Sequence, residues 1–195
     1  MGRRGSDKKQ RLIEAAADRF HRDGLNASSI ADIARDARVP AGNVYYYFRA
    51  KDDLVRAVVG HWIARIGASL EALLPDHPAD QRLEAFLDGS GGRADYYAQL
   101  GCPLVSLARD LRQSGGDLAP LAASLLRPQI DWLESVLAAL GPSKREQSRT
   151  AQELLATLQG SLQMAYALND PAVIHATVAQ LKAQAITDRH VRLHR

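Results

Sequence analysis

The chain has 195 residues, with 25 basic and 22 acidic side chains and a formal charge of +3. Hydrophobic residues at 46% and charged residues at 24% exclude a globally disordered chain, and the length allows one domain or a full domain plus a small one. A single cysteine, Cys102, excludes an intramolecular disulfide and a multi-cysteine zinc site.

Alanine (32) and leucine (26) dominate while aromatics reach only 6%, and that excess of helix formers predicts an all-α fold. From Asp7 to Asp23 the apolar positions Leu12, Ala16 and Phe20 repeat at helical spacing, with Gly24 placed to end the helix. Ser29 is a natural N-cap, and Asp32 three residues on completes a capping-box-like start to a short helix carrying Ile30, Ile33, Ala34 and Ala37. Pro40 suits the first turn of a third helix through Phe48. A fourth begins near Lys51 and runs to about Leu74, where Pro75 and Pro78 stop it. Residues 79–88 read as a short helix broken by Gly89-Ser90-Gly91-Gly92, and 103–113 as the next, with Pro103 at its head. Pro128 is expected to kink or split the stretch 117–140. Two strong helices close the chain, 143–168 and 171–186, with Asn169-Asp170-Pro171 between them.

The charge is unevenly distributed. Residues 1–56 hold 12 Lys/Arg against 8 Asp/Glu, and residues 57–195 hold 13 against 14. The excess at the N-terminus reads equally as a polyanion-binding arm or as a solvated tail. The start MGRRGSDKKQR has no apolar run of the signal-peptide kind, and no stretch of about 18 apolar residues follows. A cytoplasmic chain with no membrane partner is therefore expected.

Two short helices joined by a tight turn over residues 29–47 match a helix-turn-helix, which lays its second helix in the DNA major groove. Ala41 and Gly42 allow close backbone approach, and the Asn43 amide can pair with a base edge or a phosphate. Successive helical residues point about 100° apart, so Tyr45, Tyr46 and Tyr47 cannot all face a core. At least one phenol must face outward, and packing accounts best for Tyr47 or Phe48.

With Ser28-Ser29-Ile30-Ala31-Asp32-Ile33-Ala34, then Val39-Pro40-Ala41-Gly42-Asn43-Val44-Tyr45-Tyr46-Tyr47-Phe48 and Lys51-Asp52-Asp53-Leu54, the chain resembles the TetR family of transcriptional regulators. The resemblance implies an N-terminal helix-turn-helix domain, 1–56, and a helical ligand-binding and dimerisation domain, 57–195. It implies that Ser29 caps its helix and touches a phosphate, and that Gly42, Asn43, Tyr45 and Tyr46 form the DNA-facing side of the recognition helix. Tyr47 and Lys51 would meet phosphates, and Arg3 and Arg4 would form an arm along the DNA. Ala31 departs from the family pattern, since many members carry an arginine there, so sequence readout would lean more on Asn43, Tyr45 and DNA shape.

The family's partners would be a double-stranded DNA operator, a small-molecule effector and a second copy of the chain, paired through the last two helices. Small residues Gly160, Ser161, Ala165 and Ala179 would let those helices approach closely. Candidate effector contacts are Trp62, Ile66, Tyr96, Tyr97, Cys102, Trp132, Met164 and Tyr166, although core packing explains each singly as well. No charge cluster singles out a charged effector, so an apolar or aromatic one is expected. Cys102, ahead of Pro103-Leu104, resembles the Gly-Cys-Pro-Leu segment of a TetR-like subgroup. It reads as a small buried hydrophobe or as a thiol sensor of electrophiles and oxidants activated by a helix N-terminus. A further alternative is a non-catalytic helical interaction module. No nucleophile elbow, P-loop or dinucleotide fingerprint is present, and His190 and His194 are expected to be solvated rather than metal-bound. Neither an enzyme nor a cofactor is expected.

Overall fold

Helix ends written into the sequence set the element boundaries. The computed structural model describes the backbone of residues 3–141 and 143–193, with side chains for 6–141 and 143–184. Eleven α-helices and one 3-10 turn are present among these residues, and no strand. They are α1 (Arg3–Asp23), α2 (Ile30–Asp36), α3 (Ala41–Tyr47), α4 (Lys51–Glu71), α5 (Ala79–Gly91), α6 (Ala94–Leu100), α7 (Pro103–Ser114), α8 (Leu121–Ser124), α9 (Arg127–Ala138), α10 (Lys144–Leu168) and α11 (Ala172–Leu193), with the 3-10 turn at Gly116–Leu118.

Several local signals operate as chemistry. Gly24 ends α1 at φ +85°, a conformation that disfavours any side chain. Ser29 caps α2 by accepting the Asp32 N–H, and Ser143 forms a full reciprocal capping box with Glu146 on α10. Asn169 takes the left-handed conformation after α10, and Asp170 N–H returns to Ala165 O at 3.0 Å.

Elsewhere the structure corrects the pattern reading. Pro40 caps α3 from outside, and Phe48 is its extended C-cap rather than its last helical residue. α4 ends at Glu71, before Leu74. α5 runs on through Gly89-Ser90-Gly91 because tertiary contact overrides glycine's propensity: it packs against α11, and a Cβ at Gly91 would meet Val178 at 3.9 Å. α6 has no counterpart in the expected elements, since only the small Ala94 and Ala98 of its seven residues are buried. The expected split of 117–140 is present, by contrast: it falls before Pro128, which sits in the first turn of α9, where its missing N–H costs nothing.

Two compact units partition the chain. One comprises residues 1–65 and 103–126, the other 66–102 and 127–195. In the first, Leu12, Ala16 and Phe20 of α1 share a core with Ile33, Val44, Leu54, Val55, Val58 and Leu111, contributed by α2, α3, α4 and α7. In the second, α10 packs against α6, α9 and α11, and α5 against α9 and α11. Its core includes Phe86, Leu87, Leu133, Val136, Leu155, Leu158, Leu162 and Ile174. The first unit therefore takes in α7 and α8 as well as the segment before residue 57, so compact packing and the expected division at 56/57 follow different lines.

Candidate nucleic-acid interface

The interface is built on α2, its turn and α3. α2 is held to α1 by charge: Arg19 Nη1 donates to Asp36 Oδ2 at 2.6 Å, with Asp23 and Asp32 also within 4 Å. The hydrogen bond to Asp36 is the main reason the Arg19 guanidinium is held above its ordinary pKa. Asp32 is held below the usual carboxylate range, first by the Ser29 hydroxyl at 2.7 Å and then by Arg35 at 2.6 Å.

The turn from α2 to α3 closes in a Schellman arrangement. Val39 N–H reaches Ala34 O and Arg38 N–H reaches Arg35 O, with Arg38 at φ +53° where glycine is usual. This brings α3 out with Val44 as its one fully buried residue. Ala41, Gly42, Asn43, Tyr45 and Tyr46 are exposed, the two tyrosines at 61% and 68%. Nothing lies within 4 Å of a Cβ placed on Gly42. Tyr47 is half-buried and meets the Tyr46 ring edge-on at 5.0 Å, while Phe48 is buried beneath the Lys9 ammonium. Of the four consecutive aromatics, two face outward, one is intermediate and one is core.

Ser29 is exposed at the head of α2, and Ala31 is exposed two residues later. Lys51 is half-buried and donates to Leu25 O at 2.6 Å, and burial pushes its pKa down. One of its three ammonium N–H groups is thus given to a backbone carbonyl, which the motif alone did not reveal. Arg3 and Arg4 stand at the start of α1, and their side chains lie outside the described residues, as does that of His190 and all of His194. Arg38 and Arg49, both exposed, flank α3 and were not singled out from the motif. The signal for Arg38 was available as a non-glycine residue where the turn prefers glycine.

The expected effector contacts differ in exposure. Trp62 is half-buried in the first unit, and Ile66 is half-buried at the start of the second. Tyr97 is half-buried against Tyr96, with ring centroids 5.5 Å apart. Cys102 is buried at 3% exposure. Trp132 lies on Phe86 at 5.4 Å, with the Arg82 guanidinium also 5.4 Å from its ring. Met164 and Tyr166 are 57% and 51% exposed. The buried stripe of α10 passes through Leu155, Leu158, Leu162 and Ala165, and 100° per residue turns their side chains outward. Among the described residues no group of three or more His, Cys, Asp or Glu is arranged to hold a metal, and no helix is long and apolar enough to cross a membrane.

This arrangement has close parallels. Residues 12–58 match the family model for bacterial regulatory proteins of the tetR family. A TetR regulator from Chloroflexus aurantiacus superposes with TM-score 0.81 at 20% identity, covering 93% of this chain and 96% of that one. The chain has the TetR fold. Reduced NemR from Escherichia coli (TM-score 0.79, 20% identity, 91% and 96% covered) and a TetR regulator from Legionella pneumophila (0.79, 23%, 90% and 95%) share that architecture. The HTH-type transcriptional regulators BetI of Escherichia coli and Klebsiella pneumoniae are each 35% identical, over 88 and 86 residues. These matches cover 44% and 43% of this chain and 45% and 44% of those proteins, so the chain spans under half the length of the curated relatives it matches.

Proposed function

We propose that the protein is a ligand-responsive DNA-binding transcriptional regulator, a cytoplasmic repressor that binds a palindromic operator as a homodimer. The observation that carries this reading is α3, a helix with one buried anchor and two adjacent outward phenols, inside the segment that matches the tetR-family model. Exposed aromatic side chains beside cations suit a groove of stacked bases between phosphates. Gly42, Asn43, Tyr45 and Tyr46 read the groove, Ser29 and Tyr47 meet phosphates, and Arg38 and Arg49 join Arg3 and Arg4 as cationic contacts. Lys51 gives one ammonium N–H to the turn it holds and offers its remaining donors to a phosphate.

The dimer forms through α10 and α11, whose outward residues include Ala156, Gly160, Met164 and Ala167 on one and Ala176 and Ala179 on the other. A two-fold pair presents two recognition helices to two half-sites. A small apolar or aromatic effector, held in the 57–195 region, releases the operator by favouring a dimer geometry with mismatched half-site spacing. Trp132, Tyr97, Ile66 and Cys102 are its first candidate contacts. Membership of the Gly-Cys-Pro-Leu subgroup rests on Gly101, at φ +74° with Tyr166 packed 3.6 Å from where a Cβ would stand, and on buried Cys102. That burial favours Cys102 as a packing residue over a sensor thiol.

The test is binding to a duplex from upstream of its own gene against a random duplex of equal length, in low and high salt. Tighter, salt-sensitive binding to the upstream duplex is expected. Equal binding to both overturns the operator reading.

A further inference from the structure

The turn between α1 and α2 is held in an unusual way. Leu25 is buried, and both of its backbone groups are bound by side chains from distant parts of the first unit. Its N–H donates to Asp110 Oδ2 of α7 at 2.8 Å, across 85 residues. Its carbonyl accepts from Lys51 Nζ of α4 at 2.6 Å. The preceding carbonyl, of Gly24, accepts the hydroxyl of buried Ser28 at 2.7 Å. Three successive polar groups of the turn are therefore satisfied by side chains.

Asp110 is only 7% exposed, and an unpaired carboxylate there would be costly. It is fully engaged: Oδ2 takes the Leu25 N–H, and Oδ1 lies 3.3 Å from both Nε and Nη2 of Arg109. Gly24 lies beside it at φ +85°, where a side chain is disfavoured, although a Cβ there would meet Asp110 Oδ2 only in ordinary contact at 3.4 Å. The chain then reaches Ser29, the N-cap of α2, four residues after Leu25. α2 and α3 have seven residues each, too few to be stable helices by themselves. Their direction is inherited from what they dock on and from the turn that delivers them.

We propose that Asp110 is a positioning residue for DNA recognition. Together with Lys51 it clamps the Leu25 peptide from two sides and sets the direction in which α2, and with it α3, leaves α1. Asp110 touches no DNA in this scheme. It lies outside the helix-turn-helix and outside the segment that matches the family model. A buried N–H needs only some acceptor to be satisfied. Supplying that acceptor from α7 adds a geometric constraint that a water molecule would not. The proposal rests on the DNA-binding reading above.

The test compares full-length wild type, Asp110→Ala and Asp110→Asn on the upstream and random duplexes, with amide exchange followed at Leu25. Asn keeps an acceptor oxygen for the Leu25 N–H, whereas Ala keeps none. Asp110→Ala is expected to lose about tenfold or more in binding the upstream duplex while binding the random duplex within about twofold, because the latter depends on surface cations. Asp110→Asn is expected to stay near wild type, and Leu25 exchange is expected to accelerate only in Asp110→Ala. Equal losses on both duplexes, an Asn variant as impaired as Ala, or wild-type discrimination by Asp110→Ala each overturn the proposal. If Asp110→Ala fails to fold cooperatively, the Leu25 amide decides. Protection in both wild type and Asp110→Asn supports the clamp, and exchange at the rate of an exposed loop in wild type refutes it. Wild type that cannot tell the two duplexes apart refutes the DNA-binding reading itself, a result distinct from intact discrimination by Asp110→Ala.

Discussion

Both α3 and the outer face of α10 expose large side chains, yet they do so on different terms. On α3 the exposed residues are two phenols, Tyr45 and Tyr46, with Arg38 and Arg49 at either end of the helix and one buried valine beneath. On α10 they are Met164, Tyr166 and Leu168, above buried Leu155, Leu158, Leu162 and Ala165 on a helix of 25 residues. The first is a polar, cationic surface on a weakly anchored element, suited to a polyanion. The second carries its large apolar side chains at the C-terminal end of a strongly anchored helix, a patch suited to another protein face. The physical lesson is that exposure alone does not define a site; neighbouring charge and the depth of anchoring tell the two surfaces apart.

That contrast can be broken most forcefully at an anchor. Leu158, at 1% exposure, fills the α10 core, and Leu158→Ala is expected to cost about 2–5 kcal/mol in chemical denaturation. A change under about 0.5 kcal/mol, the range usual for surface positions, would mean that α10 is not the anchored element described. The double substitution Tyr45→Ala, Tyr46→Ala should show the reverse behaviour. Operator affinity is expected to fall about tenfold or more, equivalent to roughly 1.4 kcal/mol, with stability changed by less than about 0.5 kcal/mol. Loss of stability without loss of affinity would move these rings from the interface to the core.

Met164→Glu sharpens the other half of the comparison. A carboxylate on the apolar face of α10 is expected to shift sedimentation from dimer towards monomer while leaving the monomer's helicity intact. Unchanged sedimentation would remove this face from the dimer. The smallest effect is expected at the α2 cap, where Ser29→Ala should cost about 1 kcal/mol. Asp32 supplies the matching pH dependence. Its carboxyl is held low in the folded protein, first by Ser29, so its contribution is fully present above the unfolded carboxylate pKa and is lost as pH falls through the lower folded value. Ser29→Ala should therefore flatten the acid limb of the stability curve, and an unaltered limb would assign that limb to other carboxylates.

Local signals were legible because they act over one helical turn. Ser29 as a cap, Gly24 as a stop, the Asn169-Asp170-Pro171 break and the apolar periodicity of α1 and α10 all read correctly from adjacent residues, while the Ser143 capping box was there to be read and was not. So did the outward placement of phenols on α3, which follows from helical geometry once four aromatics stand in a row. The continuation of α5 through its glycines was not legible, because it depends on α11, which lies about 80 residues further along the chain. Nor was α6, whose seven residues bury only two alanines. The motif marked Lys51 as a contact, but the carbonyl that engages it belongs to a turn 26 residues earlier.

The amino-acid sequence by itself determined the all-helical class, the helix-turn-helix with its capped entry, and the excess of positive charge in the first 56 residues. Each is set by composition or by spacing within a few residues, where propensity and capping act. Only the tertiary structure decided how far each tyrosine is exposed, that Met164 and Tyr166 face outward, and that α7 packs in the same compact unit as α2 and α3. The role of Asp110 belongs to that second group. Its partner is a backbone N–H 85 residues away, and such a hydrogen bond exists only after packing has brought the two together.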